Sequence, residues 1–175
     1  MRQLFMRRPD LDNLPPLPPL PPGYDLRPAS SADEQAIAAT MISAFGPEWS
    51  VDKVRRELQN DPSVVETIVA TVGGVPVATA SVRLMPETYP GSGYVHWVGT
   101  DAAHRGQRLG YAVTLAVLHR FRDLDCRDAV LETDPFRLPA IRVYLNLGFV
   151  PEQVVPEHEA AWREVLAALD APREA

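Results

Sequence analysis

The alternation of apolar and polar positions divides the chain into short elements of two kinds. Tyr24 to Pro28 is a strand candidate. Ser31-Ala-Asp-Glu34 has capping-box spacing, and behind it Ile37, Ala38, Met41, Ile42 and Phe45 recur at helical spacing until Gly46-Pro47 stops the run. Ser50 caps a second, more polar helix with Val51, Val54 and Leu58 on one face, and Asn60-Asp61-Pro62 ends it. Val64 to Val72 is dense in β-branched residues. Gly73-Gly74 turns it into Val75 to Leu84, a hairpin, and Pro76 marks a strand start or a free edge.

Pro86, Pro90, Gly91 and Gly93 make a loop, and Tyr94 to Thr100 follows as a strand. His104-Arg-Gly-Gln-Arg-Leu-Gly110 is a turn opening a long helix with Leu109, Ala112, Val113, Ala116, Val117, Phe121 and Leu124 on one face. Ala129 to Thr133 is a strand that Asp134-Pro135 breaks. Pro139 fits the first position of a short helix over 141–147, and Gly148 fits its C-terminal cap. Phe149 to Val155 is a last strand. Glu157 to Leu169 is an amphipathic helix with Ala161, Trp162, Val165, Leu166 and Leu169 inward. Strand, two helices, hairpin, then strand and helix in alternation predict an α/β fold: a mixed sheet with crossover helices.

Composition narrows the class. A chain of 175 residues is one domain, or one domain and a tail. Eight of its 18 prolines fall within residues 9–28, six of them in the run from Leu14 to Gly23. That run is polyproline II, neither helix nor central strand. Residues 1–23 therefore read as a Pro-rich N-terminal arm and 24–175 as the domain. The arm packs on its own domain or a sister subunit, serves a Pro-recognising module, or is a plain tail. Deleting residues 1–22 is expected to leave the core intact. With 17 Lys+Arg against 23 Asp+Glu, the net charge of −6 argues against nucleic acid and anionic membranes as partners. The lone Cys126 excludes an intrachain disulfide and zinc sites built on two or more cysteines. No apolar run reaches about 18 residues. Arg2, Arg7 and Arg8 are followed by prolines rather than the apolar stretch of a signal peptide, so the expected compartment is the cytosol.

The chemistry concentrates in 94–110. A strand-to-helix turn with small residues exposes unpaired amides at the positive end of a helix dipole, where a phosphate is the expected guest. Arg105 and Arg108 add charge there. The lysine and Ser/Thr of a Walker loop are missing, and the glycine spacing is not that of a dinucleotide fingerprint.

Arg105-Gly-Gln-Arg-Leu-Gly110 after a strand, followed one helix and one strand later by Tyr144-Leu-Asn-Leu-Gly-Phe149, resembles the GNAT family of N-acetyltransferases. The resemblance covers residues 24 to about 155. It implies a sheet splayed between Tyr94–Thr100 and Ala129–Thr133, with acetyl-CoA in the gap. The pantetheine would pair with the backbone of Val98, Gly99 and Thr100. The pyrophosphate would rest on the amides of Arg105, Gly106, Gln107, Arg108, Leu109 and Gly110. An amine from the opposite side would attack the thioester directly, with no metal and no covalent intermediate. A homodimer is compatible with the resemblance.

The family pattern has glycine where this chain has Arg108. At a helix N-terminus a helical φ is expected there, which arginine tolerates; a positive φ would cost about 1 kcal/mol or more. Tyr144 reads as a proton donor to the leaving thiolate or as a half-buried aromatic in an apolar stripe with Ile141 and Leu145. His96 and Glu132 are candidate bases; a hydrogen-bonded sheet histidine and a solvent-facing or arginine-paired glutamate are the plainer readings. His96 is expected on one strand face with Tyr94, Val98 and Thr100. Asp134 contacts substrate or CoA, or makes an Asx turn before Pro135. The substrate pocket is expected from residues 45–62 and 84–94. Acetylation of a small amine or peptide, acetylation of a protein N-terminus or lysine, and non-catalytic acyl-CoA sensing all remain open.

Overall fold

A computed structural model describes residues 3–171, so Arg2 and the last four residues of the expected domain lie outside the described residues. Its strands are β1 (Leu4–Arg8), β2 (Tyr24–Pro28), β3 (Val64–Val72), β4 (Val75–Leu84), β5 (Ser92–Thr100), β6 (Asp128–Thr133) and β7 (Val150–Glu152). Its α-helices are α1 (Glu34–Phe45), α2 (Val51–Val54), α3 (Leu109–Asp123), α4 (Leu138–Asn146) and α5 (Glu157–Asp170). The seven strands form one sheet in the order β2-β3-β4-β5-β6-β1-β7. β5 and β6 are parallel; the other neighbours are antiparallel. The mixed sheet with crossover helices is the expected one.

The arm departs from expectation. Residues 4–8 are a central strand inserted between β6 and β7. Leu4 and Met6 are fully buried. On the other face Arg7 bridges Asp128 at 2.8 Å and Glu152 at 2.7 Å, tying both neighbours to β1. Five residues before a proline run are too short to show a period, which is why the pattern passes over them. The polyproline segment then crosses the domain's own surface. Leu14 and Leu20 pack on the core, and His119 Nε2 donates to the Pro15 carbonyl at 2.8 Å.

Local differences have simple causes. The helical entry begins one residue early, as a 3-10 turn over Ser31–Asp33. Asp33 accepts from the Ser30 amide at 2.7 Å and from both terminal nitrogens of Arg27, at 2.7 and 2.8 Å. The Arg27 fork holds its carboxyl well below the usual range. Glu34, the expected box partner, instead pairs with Arg55 at 2.6 Å. α2 relaxes into a π turn over Arg55–Gln59, which keeps Val54 and Leu58 buried. The last strand shortens to three residues, and Leu166 is exposed rather than inward.

Two layers cover the sheet. Ile37, Met41, Trp49, Val54 and Leu58 of the α1–α2 region pack with Val69 on one face. α3, α4 and α5 join the larger core on the other. A Cβ on Gly93 would run into the Phe121 ring, so β5 and α3 lie closer than any larger residue permits. No described helix is long and apolar enough to cross a membrane.

Candidate active site

The two parallel strands at the sheet's centre separate. β5 pairs with β6 only at Ser92–Asp128, Gly93–Ala129 and Tyr94–Val130, then runs on to Thr100 without it. A bulge sits where they part. Ser81 faces His96 while Thr79 faces Gly99, so Trp97 and Val98 together oppose Ala80, and Trp97 is forced to φ +46°. A bulge bends its strand, and here it opens a notch with Val98, Gly99 and Thr100 along one wall. It also breaks the alternation. Gly99 shares the α1 face with His96, whereas Thr100 pairs with Ala78 and approaches Gly110 of α3. His96 therefore does not share a face with Thr100, contrary to the simple period.

The turn stands at one mouth of the notch. Asp101 Oδ1 accepts from the Ala103 amide at 2.8 Å, and the Tyr24 hydroxyl meets His104 Nδ1 at 2.8 Å, fixing the turn to β2. Arg105 to Arg108 are exposed. Gly106 has φ +82° and Arg108 φ +59°. Arg108 is thus left-handed and not helical, the costly alternative. Its guanidinium lies 5.1 Å from the Tyr111 ring centroid. No side chain caps the N-terminus of α3. Bare amides, a fifteen-residue helix behind them and two arginines beside them suit a phosphate group.

Tyr144 is buried on α4, with its ring 6.0 Å from that of Phe149. Burial raises its phenol above the usual range. The Tyr94 phenol is raised by burial first, then by Glu132, with Tyr89 and Tyr144 adding smaller effects. Tyr94 and Tyr89 stack at 5.7 Å and Glu132 lies beside them, near the last paired rung of β5 and β6. Glu132 is exposed, accepts from the Tyr89 hydroxyl at 3.3 Å and forms no ion pair among the described residues. His96 is different. Burial, then Arg83, pushes it down to about 4 against a weaker pull from Asp61, and its Nε2 is buried without a hydrogen-bond partner among the described residues. It is neutral at pH 7 and a weak base. Asp134 is taken by Arg137 at 2.9 Å, and Arg137 in turn lies 4.3 Å from the Phe45 ring centroid. Cys126 has its thiol raised by burial, which disfavours a nucleophilic thiolate.

A groove of about 620 Å³ lies over the uncovered part of the sheet, with Phe5, Tyr89, Glu132, Glu152 and His158 in its wall. It draws on the 84–94 segment but not on 45–62, and it recruits β1, which sequence reasoning had set aside. His158 is 3% exposed, and its Nε2 has no hydrogen-bond partner among the described residues. No sequence period distinguishes His158, Tyr89 or Phe5; only the order of the strands brings them together.

Comparison with known proteins agrees with this geometry. Residues 34–149 match the model of the Acetyltransferase (GNAT) family. A mycothiol acetyltransferase from Actinosynnema mirum is 32% identical over 155 residues, covering 85% of this chain and 52% of that protein. The chain spans about half the length of this curated relative. The structure of a GCN5-related N-acetyltransferase from Kribbella flavida superposes with a TM-score of 0.62 at 26% identity, covering 86% of this chain and 55% of that one. AAC(6')-Iy in complex with the bisubstrate analog CoA-S-monomethyl-acetylneamine shares the fold, with a TM-score of 0.63 at 16% identity over 75% of this chain and 95% of that one.

Proposed function

Because the chain belongs to the GNAT family of acetyltransferases, we propose that it transfers the acetyl group of acetyl-CoA to a primary amine of a small molecule or peptide, by direct attack in a ternary complex. One observation carries the reading: β5 leaves β6 at a bulge, and an uncapped helix N-terminus with two arginines stands at the mouth of the gap. The backbone of Val98, Gly99 and Thr100 receives the pantetheine arm. The amides of 105–110, with Arg105 and Arg108, receive the pyrophosphate.

The amine enters from the other face, where the exposed Glu132 carboxylate, which forms no ion pair among the described residues, attracts an ammonium. Glu132 suits the proton-accepting role better than His96, whose burial keeps its basicity low. Tyr144, protonated at neutral pH, donates a hydrogen bond to the thiolate as the C–S bond breaks. Proximity supplies the rest, since two bound reactants need no covalent enzyme intermediate.

A CoA-release screen against a panel of amines tests this, with the product identified by mass. The panel includes the acceptor of the mycothiol acetyltransferases. Release that depends on an amine, with a product heavier by one acetyl group, is the expected result. Acetyl-CoA binding without consumption of any amine would support a non-catalytic acyl-CoA-binding module instead.

A further inference from the structure

Lys53 is the only lysine in a chain with 16 arginines. Guanidinium groups keep their protons and do not accept acetyl groups at neutral pH. Lys53 is therefore the one side chain able to serve as a primary amine.

Its position is unusual. Nζ lies 4.4 Å from the Trp49 ring centroid and 5.5 Å from that of Trp97. The two indoles pack edge-to-face at 4.7 Å, with Phe45 5.3 Å from Trp97. Both indole N–H groups are buried without a hydrogen-bond partner among the described residues. On the same elements Glu34 and Asp52 pair with Arg55, and Glu57 with Arg56. Among the described residues Lys53 forms no ion pair, and its ammonium rests on the two indole faces. Cation–π contacts to the two indoles fix the position of the ammonium.

Trp97 links this cluster to the notch. It is the bulged residue of β5, in positive φ, immediately before Val98. The bulge turns it to the same face as His96, with the rings 5.6 Å apart. That face belongs to α1 and α2 and is opposite the phosphate-binding turn on α3. It is the side from which an amine would approach a thioester lying along β5.

We propose that Lys53 is an internal acetyl acceptor, acetylated by this same chain from acetyl-CoA held in the notch. The inference rests on the acetyltransferase reading above. The Lys53 ammonium loses one proton to solvent. Its nitrogen lone pair forms a bond to the thioester carbonyl carbon, and the C–S bond breaks. The sulfur leaves with the electron pair and takes up a proton as CoA thiol, while the new amide nitrogen sheds its second proton. The net products are N-acetyl-lysine, CoA and one proton. Acetylation removes the charge, and with it the contacts to Trp49 and Trp97.

The test is peptide mapping by mass spectrometry of the full chain after incubation with acetyl-CoA, alongside CoA release with external amines on the same sample. Acetylation at Lys53 is expected, at a per-molecule rate independent of protein concentration and suppressed when desulfo-CoA occupies the notch. Lys53→Arg is expected to abolish that modification while keeping the cation over the indoles. Equal labelling of urea-unfolded chain, or labelling indifferent to desulfo-CoA, would mean simple solution chemistry and overturn the proposal. An unmodified Lys53 beside active turnover of an external amine overturns this inference and leaves the acetyltransferase reading standing. Absence of both reactions overturns both.

Discussion

Tyr144 carries two demands, because a residue buried among Ile141 and Phe149 is a packing residue whatever else it does. Tyr144→Phe separates them, since it removes one oxygen and little volume. Turnover is expected to fall about ten-fold or more, within reach of the general-acid range, while acetyl-CoA binding is unchanged. Steady-state kinetics beside a binding isotherm make the comparison, and equal turnover would leave Tyr144 a packing residue only. His96 makes a different prediction. Its value of about 4 in the fold lies below the ordinary 6.5. Above pH 6.5 the group is neutral in both states and costs nothing. As pH falls below 6.5, the unfolded chain gains a proton that the folded chain refuses. Stability is then lost at about 1.4 kcal/mol per pH unit until pH 4, where the loss levels off. Urea titrations at pH 7 and pH 5 should show this slope in the parent and a shallower one in His96→Gln. At Arg108, relief of the left-handed conformation should make Arg108→Gly more stable by up to about 1 kcal/mol, or about 2–4 °C in Tm. The same change should raise the acetyl-CoA KM, most at low salt. A lower Tm would show that stacking on Tyr111 outweighs the strain.

The elements differ in how openly the chain announces them. The hairpin around Gly73-Gly74, the turn at 105–110 and the helix ending at Gly148 each carry a local backbone signal, and each stands where the sequence places it. The bulge at Trp97 carries none. It arises because β4 holds the register on one side while β6 departs on the other, and a tryptophan gives no warning of a positive φ. Tyr144 could be singled out through the resemblance carried by the Tyr-x-x-x-Gly-Phe segment, whereas the faces on which His96, Val98 and Thr100 lie could not be read from the sequence. β1 fails to show for a related reason: its partners are more than a hundred residues away, and its five residues are understood only as the strand that completes the sheet. Removing residues 1–8 should expose facing edges of β6 and β7 and give an aggregating or non-cooperative chain. Leu4→Ala is the gentler version, expected to cost about 2–5 kcal/mol in urea denaturation. Cooperative melting of the truncated chain at the parent's temperature would show that the sheet closes without β1.

Across the whole molecule, two charged features stand on opposite sides of the sheet. Arg105 and Arg108 flank the turn that suits a polyanion, while Glu132 stands in the groove on the other side, where Glu152 is already bridged by Arg7. On the proposed function, an anionic donor would enter beside the arginines and a cationic acceptor beside Glu132, and the net charge of −6 favours the cation. The two approaches meet only where β5 and β6 part. The proposed reaction depends on where acetyl-CoA lies, and a crystal structure of the full chain with acetyl-CoA tests this most directly. The pantetheine is expected along Val98, Gly99 and Thr100, the pyrophosphate on the amides of 105–110, and the thioester near the Tyr144 hydroxyl. Acetyl-CoA seated instead in the groove of Phe5, Tyr89 and Glu152, or bound with its phosphates away from the N-terminus of α3, would contradict it.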